Sequence, residues 1–181
     1  MRRSLLTIVG TAVLLGTGCS TQTPGQPIPA GDASTSAATE PTTSTTGADL
    51  TSLDPCSLLT ADAKAELKVS GPGDPDKLPS GKSCAWQVSS AASGGNGFVL
   101  GTVVFPELSL EQVNSHGPTT EITVGSRRAL KSTGAGGSVF AISLEVTPSS
   151  RVDVSSTIGA GEEEAWARVQ RLAELVEPRL P

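Results

Sequence analysis

Between Ser20 and Ser52 the chain is built from Thr, Ser, Ala, Pro and Gly, with almost no large apolar side chain and only Asp32, Glu40 and Asp49 charged. Such a stretch buries too little surface to offset the entropy of ordering it. It therefore confines any fold to the residues beyond Ser52. Residues 53–181 are patterned, and a length of about 130 residues suits one domain of ordinary size. Residues 19–52 are expected to form a disordered tether with an r.m.s. span of roughly 30 Å. Its Ser/Thr-Pro composition also permits O-glycosylation.

Upstream of the tether, residues 1–18 read as a lipoprotein signal peptide. Met1-Arg2-Arg3 supplies the charged start, Leu5 to Leu15 a short apolar run, and Gly16-Thr17-Gly18 small residues directly before Cys19. The run is about half the ~20 residues that a membrane-spanning helix needs. The expected outcome is cleavage before Cys19 and lipid on that cysteine, which anchors the chain on the extracytoplasmic face of the cell membrane. Gly16 stands where the usual lipobox has Leu, and Leu15 sits one residue earlier. An ordinary cleaved signal peptide with a free Cys19 is the alternative.

Charge removes some partners. The net charge is −5, and loss of Arg2 and Arg3 with the signal peptide takes it to −7. No basic stripe of the kind that binds nucleic acid is present. Between Cys19 and Lys64 there is no Lys or Arg, so membrane attachment must come from lipid rather than from a polybasic segment.

The pattern downstream predicts an α+β fold, a mainly antiparallel sheet packed by a short N-terminal helix and a C-terminal helix. Leu58 to Leu67 reads as the first helix, capped by Thr60 and ended by Gly71-Pro72. Gly71 to Gly81 reads as a polar loop. Strands are expected at Ser83–Val88, Phe98–Phe105, Glu121–Val124 and Ala129–Ser132, with a short helix over Leu108–Ser115. In Val139 to Val146, Phe140, Ile142, Leu144 and Val146 alternate with smaller or polar residues, the period of a half-buried strand, and Val152 and Val154 continue it in the next strand. Glu162, Glu163 and Glu164 then open the C-terminal helix, where their charge complements the helix dipole. Trp166, Val169, Leu172, Ala173 and Val176 recur at helical spacing, and Pro178 ends the helix.

Three cysteines are present. With Cys19 lipidated, Cys56 and Cys84 form an even pair, which in an exported chain favours a disulfide. A metal site and a catalytic thiol are the competing readings. His116 is the sole histidine, two thiolates do not complete a tetrahedral zinc site, and no motif joins His116 to a cysteine.

Asp54-Pro55-Cys56-Ser57-Leu58-Leu59-Thr60, followed by Cys84-Ala85-Trp86, resembles a family of actinobacterial lipoproteins with a domain of unknown function. Ile122-Thr123-Val124-Gly125 resembles that family's later strand and glycine turn. The resemblance implies an envelope location and no established activity, and it supplies no catalytic residues. Many members carry a second cysteine pair in the C-terminal half. This chain has none there, so that half rests on packing alone.

No nucleophile elbow or phosphate-binding loop occurs. Gly134-Ala135-Gly136-Gly137 reads as a hairpin loop. Asp74 and Asp76 lack the further oxygen ligands of a calcium loop and read as a surface turn. His116 reads as an exposed turn residue and Arg127-Arg128 as a solvated turn, with a general base and an anion site as the sharper alternatives. Trp86 and Trp166 read as core, Trp86 packing on the disulfide and first helix, rather than as a sugar platform. No cofactor and no metal are expected. The expected function is a membrane-anchored, non-enzymatic binding or accessory module whose partner is an envelope protein or an apolar ligand. One alternative is a carrier of an apolar small molecule or lipid, held between the sheet and the C-terminal helix. The other is a hydrolase with a scattered triad around His116.

Overall fold

The computed structural model describes residues 49–159 and 161–181. The signal peptide, Cys19 and the tether up to residue 48 lie outside the described residues.

Seven strands form one antiparallel sheet: β1 (Asp74–Leu78), β2 (Gly81–Val88), β3 (Phe98–Phe105), β4 (Thr120–Val124), β5 (Arg127–Thr133), β6 (Val139–Thr147) and β7 (Ser150–Thr157). Their order across the sheet is β1-β2-β3-β7-β6-β5-β4. Two meanders therefore meet at the β3–β7 pair, where Thr102 faces Val154 and Val104 faces Val152. This order requires residues 106–119 to run from the middle of the sheet to its far edge. The helices are α1 (Ala61–Glu66), α2 (Ser90–Ser93) and α3 (Glu162–Val176). The α+β expectation holds in this form, with α3 as the main helical layer.

One sheet face carries the core. The registers place Trp86, Leu100, Val104, Ile142, Leu144, Val152 and Val154 on the same side, each no more than 1 % exposed. On α3, Ala165, Val169, Leu172, Ala173 and Val176 are all 0 % exposed and close this face. Burial of each large aliphatic side chain is worth about 1.5–3 kcal/mol. Over β6 and β7 the opposite face is covered by the 106–119 crossover, whose Leu110 is 0 % exposed.

Several local expectations change. The single helix over 58–67 is replaced by a 3-10 turn at Pro55–Leu58, an extended Leu59, and then α1, because Asp54 caps the turn at the Cys56 amide and Thr60 caps α1 at the Ala63 amide. Helix α1 ends before Gly71: Lys68, at φ 59°, forms a left-handed cap in which the Val69 amide donates to the Lys64 carbonyl at 2.8 Å. Part of the expected loop at 71–81 is the edge strand β1, which pairs with β2 from Asp74↔Ala85 to Leu78↔Gly81. Residues 108–115 contain only a 3-10 turn, Leu110–Gln112. Leu50, placed at the end of the tether by composition, is 2 % exposed and belongs to the core.

Candidate binding site

Cys56 and Cys84 are joined as a disulfide, with Cα atoms 5.1 Å apart. The bond ties the 3-10 turn before α1 to β2. The same turn is held from the sheet by the Thr102 hydroxyl, which donates to the Pro55 carbonyl at 3.0 Å. Trp86 is buried beside this bond, with the Lys64 ammonium of α1 5.8 Å from its ring centroid. Its indole nitrogen is buried without a hydrogen-bond partner. Trp166 packs edge-on to Phe140 at 5.0 Å, and the Lys131 ammonium lies 4.2 Å from its ring.

The remaining sequence candidates are not brought together. Asp74 and Asp76 lie on the exposed strand β1. His116 is exposed, and its backbone amide donates to the Thr133 carbonyl. Its imidazole has no hydrogen bond to a serine or cysteine among the described residues. No group of three or more His, Cys, Asp or Glu side chains that could hold a metal ion occurs among the described residues.

Arg127 and Arg128 open β5 rather than forming a turn, and both guanidiniums meet the chain's own acceptors, Arg128 while remaining exposed. Arg127 donates to the carbonyls of Leu180 and Pro181 and lies 3.6 Å from Glu177. Arg128 meets Glu111 and Glu121 at 2.9 Å and Glu145 at 3.4 Å. Glu111 belongs to the crossover, so Arg128 pins that segment to the sheet. The amide of Glu111, then Arg128 and Ser109, hold the Glu111 carboxyl below the usual carboxylate range, at about 2.

Beneath the crossover lies a buried polar cluster that alternation alone does not reveal. Arg151 is 4 % exposed. It donates to Asp153 at 2.9 Å and to the Ser109 carbonyl at 2.6 Å, and stacks on Phe105 at 4.4 Å. Burial pushes the Asp153 carboxyl up, while Arg151 and, more weakly, Ser143 pull it down. Ser143 Oγ makes no hydrogen bond of normal geometry. Every charge here is directed at another group of the fold, so the cluster serves to seat the crossover.

A surface groove has a different character. It lies between the end of α1 and the start of α3, beside Phe98 of β3, and encloses about 310 Å³. That volume is at the lower end of the range for small-molecule sites. Arg168 lies under its rim. It stacks on Phe98 at 4.0 Å and donates to Glu164, the Ser156 hydroxyl and the carbonyls of Thr157 and Ile158. Burial lowers the pKa of this guanidinium, and Glu164 opposes that effect. Across the groove Arg171 engages both oxygens of Glu66, one of them at 3.1 Å, joining α3 to α1. Lys68, in its left-handed cap, also lines the groove. The sequence signal for this cap is slight: a helical run ending at Leu67 with Lys where glycine is usual. The sheet–α3 interface, by contrast, is filled by the side chains named above.

No helix among the described residues is long and apolar enough to cross a membrane. No curated protein and no solved structure matches the chain. A match to one family covers residues 14–179, nearly the whole sequence. The chain thus belongs to DUF3558, a family of proteins of unknown function.

Proposed function

We propose that this protein is a lipid-anchored, non-enzymatic binding or accessory module of an actinobacterial cell envelope. In this reading the signal peptide at residues 1–18 is removed and Cys19 carries the lipid. The tether then holds the α+β domain off the extracytoplasmic face of the cell membrane. The observation that carries the reading is the Cys56–Cys84 disulfide. Structural disulfides persist in oxidising, exported compartments. This one also takes up both cysteines of the domain, leaving Cys19 as the cysteine free to be lipidated. The motifs around Cys56 and Cys84, which resemble those of actinobacterial lipoproteins, support the same location.

The binding role draws support from the α1–α3 groove, a concavity in which apolar surface and charge are combined. Cross-linking in intact envelopes, followed by capture of the full chain, tests the module reading. Recovery of a defined envelope protein or lipid is expected, and recovery of neither counts against it.

A further inference from the structure

Lys68 is the only non-glycine residue with positive φ among the described residues. Its left-handed conformation closes the C-terminal cap of α1, with the Lys68 amide donating to the Ala65 carbonyl and the Val69 amide to the Lys64 carbonyl. Glycine takes this position without steric cost, whereas a residue with a Cβ is strained there. Nothing in the cap requires a lysine, since both of its hydrogen bonds are made by backbone atoms. The Lys68 side chain has no hydrogen-bond or ion-pair partner among the described residues.

The groove explains the choice. Its other cations are neutralised, Arg168 by Glu164 and Arg171 by Glu66 and Glu174. Lys68 is therefore the one cation of the lining that has no ion-pair partner among the described residues. Leu67, Phe98 and Ala167 supply apolar surface alongside it. An unpaired cation at the edge of an apolar groove complements a molecule with an apolar body and one anionic head.

We infer that the α1–α3 groove binds a single-tailed anionic amphiphile, with Lys68 holding its head group. This rests on the binding-module reading and names its ligand class. The test is calorimetric titration of residues 19–181 with Cys19→Ser, which carry no lipid, with dodecanoate below its micelle concentration. Saturable one-to-one binding is expected, and dodecyltrimethylammonium, with the same tail and the opposite charge, should not bind. Lys68→Gly should raise Tm by relieving the cap, yet weaken dodecanoate binding about tenfold or more. Lys68→Arg should retain the binding. A Lys68→Gly chain that binds as tightly as the wild type overturns the inference, as does uptake that never saturates or equal binding of both head groups. Each of those results leaves the fractionation and envelope capture of the anchored chain unchanged, so failure of the ligand is distinguishable from failure of the module.

Discussion

Gly73 approaches Cys84 so closely that a Cβ at residue 73 would lie 2.2 Å from the Cys84 Sγ and 2.8 Å from the Trp86 indole nitrogen. The chain leading into the edge strand β1 thus rests its backbone directly on the disulfide and the indole. The two sulfurs and Trp86 fix one another's places, and no side chain fits between them and residue 73.

Gly73→Ala is expected to destabilise the domain by about 1–3 kcal/mol, the usual cost of forcing atoms into a filled core. Urea denaturation followed by Trp fluorescence measures this. An unchanged midpoint would show that β1 moves away from the disulfide at little cost.

Replacing Cys56 and Cys84 together by Ser should cost about 3.5 kcal/mol, from the chain entropy of the loop that the bond closes. The measured quantity is a fall in denaturation midpoint relative to the oxidised wild type. Because Thr102 also holds the Pro55 carbonyl, the first turn should remain docked in the reduced protein at low denaturant.

The Arg151–Asp153 pair is the most deeply buried charge on the second face of the sheet. Removing one partner, as in Asp153→Asn or Arg151→Ala, is expected to cost about 3–5 kcal/mol, because a desolvated charge is left behind. Replacing both, Arg151→Met with Asp153→Leu, should cost less than the sum of the singles. A double variant as unstable as that sum would mean that the two residues act independently. Hydrogen exchange should quicken over 106–119 in Arg151→Ala, which removes the donor to the Ser109 carbonyl.

Glu111 gives a pH dependence of known sign. Its folded carboxyl titrates at about 2, below the ordinary 4.5, so its contribution to seating the crossover is present above about pH 4.5 and is lost as pH falls through 2. The group is exposed, so added salt should weaken the effect. Carboxyl NMR titration checks it directly: Arg128→Ala should move the Glu111 midpoint upward. A midpoint near 4.5 in the wild type would mean that Arg128 does not hold the crossover.

Part of this architecture is written plainly in the chain. Alternation in Phe140 to Val146 and helical spacing from Trp166 to Val176 identify β6 and α3, because burial on one face leaves a periodic trace. Cysteine parity points to the disulfide for an equally simple reason. Strand β1 leaves no trace: all five of its residues are exposed, and Pro75 is unusual within a strand. It forms because an edge strand needs only one neighbour. Arg151 and Asp153 read as a solvent face beside Val152 and Val154, and only the crossover, set by the strand order, buries them. The groove is likewise illegible, since it depends on the end of α1 meeting α3 across more than a hundred residues, as the Arg171–Glu66 contact records.

In the proposed function, lipid on Cys19 holds a self-sufficient domain at the membrane. The direct measurement is membrane fractionation of the Cys19→Ser chain, with thermal unfolding of the released protein. The expected result is transfer to the soluble fraction with the Tm of the wild-type domain unchanged. Retention of Cys19→Ser in the membrane fraction would mean that something other than lipid on Cys19 holds the chain there.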